Sequence, residues 1–177
     1  MRLEIETARL RLRPFREDDL DALAVIRADP EVMRYIGAGT PQDRETTRVY
    51  IEKNRVAWVA RGLGMSAVEF KGREGFLLGW CGLAPLEETE EVEVGYGFAR
   101  EHWSQGLATE AARAALAYGF DALALEKIAA VAYPENLASR RVMEKLGMKY
   151  LRPAFFYGVN VVYYAITRQE FLVNRES

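Results

Sequence analysis

The chain has 177 residues, is 50% hydrophobic and 28% charged, and sets 24 Lys and Arg against 26 Asp and Glu for a formal net charge of −2. That size supports one self-sufficient core, so 1–177 reads as a single domain, and the balanced charge excludes the whole-protein basic field that draws in nucleic acid. The lone Cys81 cannot form an internal disulfide and sits in the apolar run 77–83 as a small hydrophobe, while the absence of a signal-type segment or a long apolar run makes the cytoplasm the expected location, with no membrane partner.

Leu10, Leu12 and Phe15 alternate with Arg11 and Arg13 and predict a strand, after which Asp18 or Asp19 is placed to cap a helix carrying Leu20, Leu23 and Ala24. Pro30 ends that helix, and a second is expected from about Pro41 to Gly62. Two β-rich runs, 64–70 and 75–83, flank Lys71-Gly72-Arg73-Glu74-Gly75 and predict a hairpin. In the strand that follows, Val92, Val94, Tyr96 and Phe98 share one face, and Glu93, Gly95 and Gly97 share the other. Gly95 is the expected place for a bulge. Alanines at 108, 111, 112, 114, 115, 117 and 122 predict a helix over 108–123 that lies close to a sheet. A strand at 127–132, a helix led by Asn136 and closed by Gly147, and strands near 148–156 and 159–167 complete the order. Hairpins mixed with helical crossovers imply the α/β class, with a mixed sheet covered by helices on both faces.

The polar segment between Phe98 and Ala112 ends a strand and opens a helix near Gly106. A helix N-terminus offers unpaired N–H groups and partial positive charge to a phosphate, Gly106 lets that phosphate reach the backbone, and Ala108 keeps the approach open. The Gly-Lys-Ser/Thr ending of a P-loop and the three glycines of a Rossmann turn are both missing, so a different phosphate-bearing ligand is indicated.

The run Glu93-Val94-Gly95-Tyr96 through Trp103-Ser104-Gln105-Gly106-Leu107-Ala108-Thr109-Glu110-Ala111 resembles the acetyl-CoA motif of the GNAT superfamily, with Trp103 where Arg or Gln is usual. Pro134-Glu135-Asn136-Leu137-Ala138-Ser139-Arg140-Arg141-Val142-Met143-Glu144-Lys145-Leu146-Gly147 is similar to a second block of its branch of ribosomal-protein serine and alanine N-acetyltransferases. Thr7 to Arg13 and Tyr164 to Phe171 also fit, so the resemblance spans nearly the whole chain. It implies a mostly antiparallel central sheet splayed at the cofactor site. It further implies that Tyr96, Gly97 and Phe98 hydrogen-bond the pantetheine through their backbones, that Ser104, Gln105, Gly106, Leu107, Ala108 and Thr109 cradle the pyrophosphate, and that Asn136 touches the pantetheine arm while also capping its helix.

The expected activity is transfer of acetyl from acetyl-CoA to a primary amine, a peptide N-terminus or a small molecule, in a monomer or homodimer that needs no metal. Glu93 is the candidate general base. The tyrosine that many members use to protonate the thiolate is replaced by Met143, which makes Ser139 the candidate donor. His102 reads as a solvated loop residue and Glu110 as a favourable charge in the first helical turn. Three other readings stay open: an antibiotic acetyltransferase, a non-catalytic acyl-CoA-binding regulator, and an interaction module with Trp58, Phe155, Phe156 and Tyr157 exposed.

Overall fold

A computed structural model describes residues 4–177; residues 1–3, the start of the alternating N-terminal segment, lie outside the described residues. Eight strands form one sheet: β1 (Ile5–Glu6), β2 (Leu10–Arg13), β3 (Gly64–Phe70), β4 (Leu77–Pro85), β5 (Val92–Phe98), β6 (Lys127–Ala132), β7 (Lys149–Phe156) and β8 (Val159–Thr167), in spatial order β1-β2-β3-β4-β5-β6-β8-β7. Every neighbouring pair is antiparallel except β5 and β6. That parallel pair is joined at a single register position, Glu93 with Ala129. Beyond it the strands part, so β5 presents an inner edge where the sheet is splayed.

Helices α1 (Leu20–Ala28), α2 (Pro30–Met33) and α3 (Arg44–Arg61) precede the β3–β4 hairpin; α4 (Leu107–Asp121) follows β5, α5 (Leu137–Lys145) follows β6, and α6 (Arg168–Glu176) follows β8. On one sheet face the alanines at 111, 112 and 115 bury α4 against Cys81, Leu83, Val94 and Phe98, joined by Met143 of α5 and Phe171 of α6. Small side chains allow this closeness; a Cβ on Gly119 would meet Leu83 Cδ1 at 2.8 Å and Ile128 Cδ1 at 2.7 Å. On the opposite face Leu23, Ile26, Val32, Met33 and Ile51, from α1 to α3, pack on Ala67, Leu77 and Trp80.

Local chemistry sets the boundaries. Asp43 caps α3 by accepting from Thr46 N, and Gly62 closes it at φ +63°. Asp29 accepts from Glu31 N, and Pro30 opens α2 at its first position, so the proline that ends α1 also begins a further turn. The Thr167–Glu170 capping box starts α6.

Three expectations are corrected. Neither aspartate caps α1: Asp19 is buried and binds the guanidinium of Arg13, both contacts at 2.8 Å, and accepts from Arg16 N. Arg13 itself is 1% exposed, and Glu69 of β3 meets its other side at 3.1 Å. The β4–β5 register runs unbroken through Gly82 and Gly95, so Gly95 is not a bulge; a Cβ there would lie 2.8 Å from Met65 Cε. Trp58 is not part of an exposed surface. It is 4% exposed, and its Nε1 donates to Met65 O.

Candidate active site

A cleft of about 1770 Å³ runs along β5 and reaches both faces of the sheet, bordered by α1 to α3, the start of α4, α5 and the turn between β7 and β8. The strict alternation of β5 sorts its side chains between the two faces. Val94, Tyr96 and Phe98 turn toward α4 and α5, whereas Glu93, Gly95 and Gly97 turn toward Met65, Trp80 and Tyr157. The glycines are required by that packing, since a Cβ at Gly97 would fall 2.3 Å from the Trp80 ring.

Glu93 sits in this cleft with its carboxylate accepting a hydrogen bond from the Tyr157 hydroxyl. Burial, reinforced by the nearby Glu87 charge and opposed by the Tyr157 bond, pushes its pKa up to about 7. A carboxyl poised there exchanges protons near neutrality. Tyr157 occupies the β7–β8 turn at φ +56° beside Gly158 at φ +74°, and its backbone N–H donates to Glu87. Glu87 N in turn donates to Tyr157 Oη at 3.3 Å. The turn is thereby clamped onto the loop between β4 and β5. Tyr157 and Glu87 were not found from sequence; Tyr157-Gly158 reads as a turn, but nothing local ties it to a strand 64 residues away.

On the other face the Tyr96 hydroxyl lies 2.9 Å from Ser139 Oγ, and either can donate. Burial, the larger influence, raises the Tyr96 phenol well above its ordinary value and keeps it protonated. Ser139 stands in the first turn of α5, where Asn136 Oδ1 caps the helix by accepting from Ser139 N at 3.2 Å. Met143 is 2% exposed and belongs to the core. Ser139 thus reaches the site together with a phenol for which the sequence reading had only a backbone role.

The glycine turn forms as the residue types predict. Gly106 takes φ +75° as the N-cap of the 15-residue α4, Ser104 takes φ +60°, and the first intrahelical bond runs from Glu110 N to Gly106 O. The N–H groups of Leu107, Ala108 and Thr109 are the helix's unpaired donors. Trp103 Nε1 donates to Phe98 O at 2.8 Å and so pins the loop to the strand end. Arg9 braces the turn, with Nη1 on Gln105 O and Nε on Glu110 Oε2 at 2.6 Å. Glu110 also accepts from Thr7 Oγ1, so it ties the N-terminal segment to α4 besides favouring the helix start. His102 is half-buried between Phe70 and Phe76 with Nε2 buried and unpartnered, rather than solvated. Among the described residues no His, Cys, Asp and Glu cluster is arranged to hold a metal ion, and no helix is long and apolar enough to cross a membrane.

A family model described as "Acetyltransferase (GNAT) domain" matches residues 9–149. The chain belongs to the GNAT acetyltransferase family. The Bacillus subtilis protein YkkB, described as uncharacterized, is 40% identical over 150 residues, covering 83% of this chain and 86% of that protein. A crystal structure of a GNAT-family acetyltransferase from Bacillus anthracis matches at a TM-score of 0.80 and 32% identity, covering 94% of this chain and 99% of that one. RimL, titled a ribosomal L7/L12 α-N-protein acetyltransferase in complex with coenzyme A, matches at a TM-score of 0.76 over 93% of this chain and 97% of its own, but at 16% identity it shares the fold alone. Membership makes this GNAT chain an acyltransferase.

Proposed function

We propose that this GNAT enzyme transfers acetyl from acetyl-CoA to a primary amine by direct attack, and that the acceptor is an α-amine at a peptide N-terminus. The observation that carries the reading is the placement of two proton-handling groups, Glu93 and Tyr96 with Ser139, on opposite faces of one strand at the inner edge of the splayed sheet. Acetyl-CoA supplies the activated acyl group. Ser104 to Thr109 fit its pyrophosphate, because the unpaired N–H groups converge where Gly106 has no side chain and a Cβ would still find no atom closer than Arg9 Nη2 at 3.6 Å. The inner edge at Tyr96, Gly97 and Phe98 suits a pantetheine laid on as a further strand, with Asn136 beside it.

Glu93 accepts the proton of the attacking amine, directly or through a water, from the α1–α3 side. Backbone N–H groups at the inner edge of β5 stabilise the oxyanion of the tetrahedral stage. Tyr96, oriented by Ser139, holds a proton toward the departing thiolate from the α5 side, which fills the place that Met143 leaves empty. Tyr96→Phe is expected to lower the acetylation rate roughly three- to tenfold, the worth of one hydrogen bond, with CoA affinity unchanged. Ser139→Ala should cost less, because the phenol remains. Single-turnover rates and calorimetric CoA titration of both variants check this; parallel losses of rate and affinity would move the pair to cofactor binding.

At neutral pH roughly a tenth of an α-amine is uncharged against under a thousandth of a lysine side chain, so a single carboxylate with a pKa about 7 favours the former. Thiol release with free-N-terminal peptides and N-blocked lysine peptides tests the assignment. A preference of about a hundredfold or more for the free N-terminus is expected from these fractions. A preference for lysine would overturn it.

A further inference from the structure

Among the charged side chains that border the cleft and take no part in the proposed chemistry, Arg27 is the buried one. Arg27 of α1 is only 7% exposed, its Nε is buried without a hydrogen-bond partner, and no carboxylate among the described residues pairs with it. The other buried ionic groups, Arg13, Asp19 and Glu69, pair with one another, and Arg11 lies 3.9 Å from Glu69 to balance the second carboxylate. The Arg27 Cζ lies over aromatic rings, 3.9 Å from the Tyr50 centroid and 5.3 Å from that of Trp80, and the side chain borders the same cleft as Glu93. Burial lowers its pKa, which the Tyr50 contacts only partly oppose, yet a guanidinium stays charged at any physiological pH.

An unpaired buried cation is costly, and cation–π contacts recover only part of the cost. The remainder is offset when an anion enters the cleft. One guanidinium edge between apolar rings suits the planar, singly charged carboxylate, whereas a phosphate is ordinarily held by several cations or backbone N–H groups. Trp80 packs on Gly97, and Glu93 lies on the same face of β5 as Gly97, so Arg27 and Glu93 share one wall of the cleft on its α1–α3 side. Tyr50 senses both charges. An acceptor lying along this wall meets a proton acceptor at one end and a cation at the other.

We propose that Arg27 binds a carboxylate of the acceptor, so that the preferred substrate is an amine carrying an acidic group, such as a peptide with Asp or Glu close behind a free N-terminus. This rests on the acetyltransferase reading above and narrows its substrate class.

The test uses tripeptides with free N-termini in Asp/Asn and Glu/Gln pairs at the second and third positions, assayed with the wild-type enzyme and with Arg27→Gln. In the wild type at least one acidic member is expected to exceed its amide partner about tenfold in kcat/KM, through KM. In Arg27→Gln that ratio falls to about one while turnover of the amide peptides is retained. An acidic preference that is absent in the wild type, or undiminished in the variant, overturns the proposal. Thermal unfolding with glutarate as the probe separates this failure from failure of the α-amine assignment. If no tripeptide is acetylated, the α-amine assignment falls, and Arg27 is judged by whether glutarate stabilises the wild type and not Arg27→Gln. Equal stabilisation of both proteins, or of neither, sinks it.

Discussion

Glu93→Gln lowers kcat/KM roughly 100-fold at pH 6.5, within the range expected for loss of a general base, and by much less at pH 9. The sign follows from the carboxyl's environment. Burial holds Glu93 at about 7, so the wild-type rate rises with pH through that value as the base becomes ionised. Glutamine cannot take up a proton, and the variant then relies on amine that has already shed its own, with a midpoint near 7.7–8.0 for an α-amine. The wild-type and variant profiles should therefore separate below pH 7 and converge above 9. Stability gives a second readout. A carboxyl raised from 4.5 to about 7 contributes stability that is fully present below its unfolded value and is lost as pH rises through about 7. Glu93→Gln has no such loss, so its melting temperature should overtake that of the wild type above pH 7 and gain nothing at pH 4. A penalty that is flat with pH would remove Glu93 as the base.

Gly106→Val weakens CoA binding between tenfold and a hundredfold, about 1.4 to 2.8 kcal/mol, in a protein that still folds. Two causes add. A β-branched residue at φ +75° strains the N-cap of α4 by roughly 1–2 kcal/mol, and its methyls occupy the space over the N–H groups of Leu107 to Thr109. The space itself is open, with Arg9 Nη2 at 3.6 Å the nearest atom to a Cβ, so Gly106→Ala should incur the strain and little blockage. Calorimetric titration of CoA into both variants separates the two contributions. Wild-type affinity in Gly106→Val would show that the turn is not the pyrophosphate cradle.

The parts of this architecture that were legible from sequence are those specified by local periodicity. The alternation of Val92 to Phe98 assigned both faces of β5, the alanines of α4 announced its closeness to the sheet, and Gly62, Gly106 and Gly147 marked helix ends with positive φ. Both blocks that carry the family resemblance lie within or around these elements. What stayed hidden depends on pairing across the chain. The burial of Arg13 was not legible because its partner Glu69 lies 56 residues away, and its pairing with Asp19 removed that residue from its expected capping role. The two-residue β1, the four-residue α2 and the C-terminal α6 went unread, the first two because they are too short to show a period. At the site, the link between Glu93 and Tyr157 and that between Tyr96 and Ser139 join residues 64 and 43 positions apart, so the side chains were visible while their pairing was not.

The single register pair between β5 and β6 also bears on how the molecule endures in a cell. The two halves of the sheet meet along a seam that is closed at Glu93 and Ala129 and open beyond. On the proposed assignment the cosubstrate is the missing stitch, and a ligand that binds only the folded chain adds about 2.7 kcal/mol when present at a hundred times its dissociation constant. Resistance to unfolding and proteolysis then follows the acetyl-CoA pool. A starved cell would lose this enzyme as protein as well as activity.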